Sequence, residues 1–120
     1  MEVIFDSSQQ VFHLRNQKLS YLIQLERFGY VTHLYFGHRL EHYSGIAAYP
    51  RIHRDFEVES VEFGADVRDF SVGNLLYEYS QYNRGDFRHP ALVLRHADGS
   101  TVSDFRYDRH EIVAGSPTLE

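Results

Sequence analysis

At the start of the chain, apolar positions recur with the period of two that marks a strand, not the 3.6 of a helix. Val3-Ile4-Phe5 is a short apolar run closed by the turn cluster Asp6-Ser7-Ser8. Val11 to Leu14 reads as the next strand, and Arg15-Asn16-Gln17 turns the chain. From Leu19 the alternation is clean: Leu19, Tyr21, Ile23 and Leu25 point to one face, and Ser20, Gln24 and Glu26 to the other. Arg27-Phe28-Gly29 reads as a turn, and Tyr30 to Phe36 as a strand rich in β-branched and aromatic residues.

The stretch from His38 to about Asp69 is different. It holds Gly45, Pro50 and Gly64, carries charges throughout and keeps no period. It reads as a long excursion with at most a short strand, and such loops usually serve function or dock on something else. Leu75-Leu76-Tyr77-Glu78-Tyr79 fits either a short helix or a strand. Ala91 to His96 and Thr101 to Tyr107 flank Ala97-Asp98-Gly99-Ser100, and Asp-Gly between two strands is a strong hairpin signal. Glu111-Ile112-Val113 follows, and Gly115-Ser116-Pro117 reads as a boundary. Many short strands joined by turns predict an all-β fold, an antiparallel β-sandwich over residues 1–120 with at most one short helical turn.

Composition narrows the picture. A 120-residue chain with 42% hydrophobic residues suits one domain with a real core. The formal net charge of −5 and the lack of a basic block argue against nucleic acid as a partner. There is no cysteine, which fits a reducing compartment and excludes disulfides. The N-terminus shows no basic region followed by an apolar run, and no apolar stretch approaches the roughly 20 residues of a membrane helix. A cytoplasmic protein that does not enter membranes is therefore expected.

Particular words go beyond pattern. Phe12-His13-Leu14-Arg15, Ser20-Tyr21-Leu22 and His33-Leu34-Tyr35-Phe36-Gly37 resemble the opening of glycoside hydrolase family 36. So do Phe70-Ser71 with Leu75-Leu76-Tyr77-Glu78-Tyr79, and above all Gly85-Asp86-Phe87-Arg88-His89-Pro90-Ala91. Asp98-Gly99-Ser100, Asp104-Phe105-Arg106-Tyr107, His110-Glu111-Ile112 and Gly115-Ser116-Pro117-Thr118-Leu119 complete the series in order. The resemblance implies a bacterial α-galactosidase whose amino-terminal domain is a twisted β-sandwich (a supersandwich) preceding a (β/α)8 barrel. In that family the barrel carries the two catalytic aspartates of a retaining mechanism, which needs carboxyls about 5–5.5 Å apart.

By that resemblance, this chain is a non-catalytic part of a larger hydrolase. No cofactor is implied. Its partners would be its own barrel, other subunits of a homo-oligomer (a tetramer in the family) and the α-galactoside sugar. The long excursion would reach a neighbouring subunit's pocket. In the family, a Pro-Arg-x-Asp-Arg-like word and an arginine just before a Phe-Ser pair shape that pocket. Here Pro50-Arg51-Ile52-His53-Arg54-Asp55-Phe56 puts His53 at the acidic position, and Arg68 precedes Phe70-Ser71 with Asp69 between them. A carboxylate accepts two hydrogen bonds from sugar hydroxyls, whereas a neutral histidine accepts one and donates one. Asp55, two residues on, would supply the missing acid.

Other constellations have simpler readings. Asp66 with Asp69, and Asp104 with Asp108, read as turn and edge carboxylates in solvent. His38 and His42, with His53 nearby, have no helical pattern to make them converge, so no metal site is expected. Asp86 and Arg88 read as residues that fix a corner, with Pro90 starting a strand. The tyrosines Tyr35, Tyr43, Tyr49, Tyr77, Tyr79 and Tyr82 read mainly as packing residues. The alternative function is a stand-alone carbohydrate-binding β-sandwich module.

Overall fold

A computed structural model describes residues 1–43, 63–64, 67, 70–82 and 86–115. Its centre is a four-stranded antiparallel sheet in the order β1 (Glu2–Asp6), β2 (Val11–Arg15), β3 (Leu19–Leu25), β4 (Val31–His38). Each strand pairs with the next in sequence, so local turn chemistry sets the register. Between β1 and β2, the Asp6 carboxylate accepts the N–H groups of Ser8 and Gln9 at 2.8 and 3.1 Å. Between β2 and β3, Asn16 Oδ1 accepts from Lys18 and Leu19 N–H, both at 2.8 Å. Both are side-chain mimics of a backbone turn, the reason Asp and Asn concentrate there.

The turn before β4 is a single 3-10 turn, Arg27–Gly29. Two successive residues take positive φ, Phe28 at 62° and Gly29 at 83°. Glycine does so without cost; phenylalanine does not. The Phe28 ring offsets the strain by packing 4.5 Å from Phe63 and 4.9 Å from Phe70, centroid to centroid. These rings belong to a core of Tyr30, Phe63, Phe70, Val72 and Leu75. A second core, Val11, Leu22 and Leu34, lies on the sheet with Tyr35, Leu40 and Tyr43 against it. Burying each such side chain contributes about 1.5–3 kcal/mol.

The predicted antiparallel all-β architecture is what the chain adopts, and the helical pieces described in full are the short 3-10 turns Arg27–Gly29 and Val72–Asn74. The ambiguous segment at Leu75–Tyr79 is extended: Thr32 and Tyr77 form an antiparallel bridge, His33 N–H donates to Leu76 O at 2.7 Å, and Glu78 N–H to Val31 O at 3.1 Å. It therefore lies along the outer edge of β4.

Two expectations are corrected. In β3 the deeply buried positions include Ser20 and Leu22, while Leu19 at the head of the apolar set is exposed. Ser20 buries at low cost because its Oγ accepts Leu40 N–H at 2.9 Å and meets His13 Nε2 at 2.8 Å. The register also shifts between Leu22 and Ile23, where Leu34 is the extra residue of β4. The second correction is the late hairpin. Its turn forms: Gly99 has φ +85° and donates to His96 O, and His96 N–H donates to Ser100 O, each at 2.9 Å. The arms Ala91–His96 and Thr101–Tyr107 do not continue as a ladder, so Pro90 starts no strand. The second arm turns elsewhere, because Ser103 and Tyr107 N–H donate to Tyr82 O and Gly29 O, and Phe105 N–H to Gln81 Oε1.

Candidate functional site

The excursion predicted to carry sugar contacts departs and returns at fixed points. It leaves at Tyr43, whose carbonyl accepts Gln9 Nε2 at 3.2 Å. It returns where Phe63, Val67 and Phe70 pack on Tyr30, and where Arg27 lies 5.4 Å above the Phe70 ring. His53, Asp55 and Arg68 lie outside the described residues, as do Asp66, Asp69 and Tyr49.

Beside this return point stands the corner at 86–90. Asp86 is buried, and its Oδ1 accepts both the backbone N–H of Arg88 at 3.2 Å and its Nε at 2.8 Å. The Arg88 guanidinium then donates to the carbonyls of Leu75 and Val72 and lies 4.9 Å over the Tyr77 ring. One arginine thus ties the corner to the 72–77 segment and satisfies carbonyls that no ladder reaches. The structural reading of Asp86 and Arg88 holds. Phe87, between them, is almost fully exposed.

A second cluster spans three elements. Glu78 accepts a hydrogen bond from Tyr21 OH with one carboxylate oxygen and contacts His33 Nδ1 at 3.0 Å with the other. Burial, and then the Glu78 bond, push the Tyr21 phenol up to about 12. This clip holds the 75–79 segment to the sheet. Its parts lie 45 and 57 residues apart in sequence, so no spacing rule announces it.

Beneath residues 41–43 is a cavity of about 280 Å³ lined in part by Asp6, His13, Arg15, Glu41 and Tyr43. Both acids in its wall already have partners within this chain. An acid/base carboxyl needs a raised pKa. Hydrogen bonds from Ser8, then Gln9, lower that of Asp6, and Glu41 pairs with Arg39 at 3.1 Å. Asp104 is likewise tied to Arg106 at 2.6 Å and accepts Tyr30 OH at 3.0 Å, while Asp108 pairs with Arg109 in solvent. Burial lowers the pKa of His13 below that of an ordinary histidine. Of the tyrosines, Tyr35, Tyr43 and Tyr77 pack against the cores, as expected, while Tyr79 and Tyr82 are exposed.

Comparison with known proteins places this scaffold. Residues 29–120 match the family model described as the glycosyl hydrolase family 36 N-terminal domain. Alpha-galactosidase AgaA of Geobacillus stearothermophilus is 41% identical over 119 residues, 99% of this chain and 16% of that protein. The crystal structure of the family 36 α-galactosidase AgaB from the same organism aligns with a TM-score of 0.83 at 38% identity, over 99% of this chain and 16% of that one. A variant of AgaA solved in complex with raffinose aligns at 0.78 with 42% identity, over 91% of this chain and 15% of that one. The chain thus spans about one sixth of the length of the relatives it matches. With a family model covering residues 29–120 and this identity across nearly its whole length, the chain belongs to the glycosyl hydrolase family 36 N-terminal domain family.

Proposed function

We infer that this chain is the leading part of an α-galactosidase that releases terminal non-reducing α-galactose from sugars of the melibiose and raffinose type. The chain itself is a non-catalytic scaffold: it packs on the (β/α)8 barrel, helps to build the oligomer and extends its 38–69 excursion to a neighbouring subunit's pocket. The observation that carries this reading is the family match combined with the state of the local acids. Asp6, Glu41, Glu78 and Asp104 are each engaged by hydrogen-bond donors or cations of this chain. The raffinose complex of the related AgaA supports the substrate class.

His53, Asp55 and Arg68 are the proposed contributors to the sugar pocket. Asp55 would accept from paired hydroxyls and Arg68 would orient a ring at the rim. Steady-state kinetics on the full encoded polypeptide tests this. Asp55→Asn and Arg68→Ala should each raise KM for raffinose about tenfold, the loss of roughly 1.4 kcal/mol of binding, with kcat little changed. Unchanged KM in both variants would remove the excursion from the pocket. Saturable galactose binding by residues 1–120 alone would favour the carbohydrate-binding module instead.

A further inference from the structure

Among the described residues, four polar side-chain atoms are buried without a hydrogen-bond partner: Tyr77 OH, Gln81 Nε2, Asp86 Oδ2 and Ser103 Oγ. Gln81, Asp86 and Ser103 are each more than nine-tenths buried, Gln81 completely. Folded chains pair nearly all such atoms, because a buried donor or acceptor left alone loses its water and receives no bond in exchange. Four in one part of a small domain therefore call for an occupant.

The four atoms fall into two pairs. Gln81 and Ser103 meet along one seam: Gln81 Oε1 accepts Phe105 N–H, and Ser103 N–H donates to Tyr82 O at 2.6 Å. The bond to Oε1 fixes the amide orientation, so Nε2 is a donor that needs an acceptor. Asp86 and Tyr77 meet across Arg88. Its Nε donates to Asp86 Oδ1 at 2.8 Å, and its guanidinium lies 4.9 Å over the Tyr77 ring. Burial first, then Tyr30 and Asp86, push the Tyr77 phenol well above its ordinary pKa, so the hydroxyl keeps its proton. Tyr30 joins the two pairs. Its ring is 5.7 Å from that of Tyr77, and its hydroxyl donates to Asp104 at 3.0 Å, between Ser103 and Phe105 in the chain.

The mixture of groups selects the occupant. Gln81 Nε2 only donates, Asp86 Oδ2 only accepts, and the two hydroxyls do either. A cation would be repelled by the amide N–H groups and by Arg88, and an anion by Asp86. A docking segment of polypeptide cannot reach atoms closed from solvent without displacing residues of this chain. Water is small and neutral, gives and takes hydrogen bonds, and when buried typically makes about two to four of them to otherwise unpaired groups.

We propose that Tyr77, Gln81, Asp86 and Ser103 hold internal water, one molecule between Gln81 Nε2 and Ser103 Oγ and another between Asp86 Oδ2 and Tyr77 OH. The first ties the run at 81–82 to that at 103–105. The second completes the corner, since Arg88 occupies only one oxygen of Asp86. This inference is independent of the reaction of the longer hydrolase.

A high-resolution crystal structure of the full encoded polypeptide tests it. Ordered solvent should stand within about 2.6–3.2 Å of both members of each pair. A dry seam, a direct bond between Tyr77 and Asp86 or between Gln81 and Ser103, or a metal ion on Asp86 Oδ2 would each overturn the proposal. Stability of the same polypeptide supplies an independent sign. Tyr77→Phe and Ser103→Ala each delete one hydroxyl and nothing else. Loss of an unpaired buried hydroxyl raises the melting temperature, whereas loss of a water-bonded one lowers it, here by about 2 °C or more. A fall in both variants is expected, and a rise or no change in either would overturn the proposal.

Discussion

The sheet at 2–38 and the arm at 91–113 are built from similar aliphatic and aromatic residues, yet only the first forms a ladder. In the sheet, each strand meets its sequence neighbour through a turn fixed by Asp6, Asn16 or Gly29, and Leu22 is fully buried. In the arm, the Asp98-Gly99 turn forms equally well, but Leu92, Val93 and Leu94 remain open to solvent. A good turn is therefore insufficient. A hairpin forms when its two arms are each other's best partners, and here the backbone of residues 103 and 107 is already engaged by Tyr82 and Gly29.

Substitutions sharpen this contrast. Leu22→Ala in the sheet should lower stability by about 3 kcal/mol, read from the urea midpoint, since it empties a fully buried site. Arg88→Ala should cost about 2 kcal/mol, below the range for a fully buried pair because the guanidinium is partly exposed, and it would strand the buried Asp86. Glu78→Gln should cost about 1 kcal/mol. It should also bring the Tyr21 phenol down from about 12, followed by ultraviolet absorbance, because the charge and the acceptor both weaken while burial remains. Leu94→Ala in the arm should change the stability of residues 1–120 by less than about 0.5 kcal/mol. A loss at Leu94 comparable to that at Leu22 would abolish the contrast.

The smallest effect is a pH dependence. Burial depresses the pKa of His13 in the folded chain below its ordinary value. The unfolded chain then takes up the proton first, at about pH 6.5. The contribution of His13 is thus present above that pH and is lost as pH falls through the folded value. His13→Gln should flatten this part of the stability profile, measured by urea unfolding at several pH values.

Periodicity marks β1 to β4 in the sequence because their partners are adjacent and their turns carry Asp, Asn and Gly. It assigns Ser20 to the polar face, since no pattern shows that His13 and Leu40 satisfy its hydroxyl. The Asp86–Arg88 corner is legible as a local pair, but the carbonyls of Val72 and Leu75 that Arg88 reaches are not. The Tyr21–Glu78–His33 clip joins residues far apart in the chain, and composition says nothing about such meetings. The family emerges from ordered words instead, and residues 29–120 match its N-terminal domain model.

The most direct measurement is the hydrolysis of a chromogenic α-galactoside by purified residues 1–120. A domain with the non-catalytic role proposed above should release no chromophore above the buffer rate, even at high protein concentration. Turnover that follows the chain through repurification and rises in proportion to its amount would contradict the account.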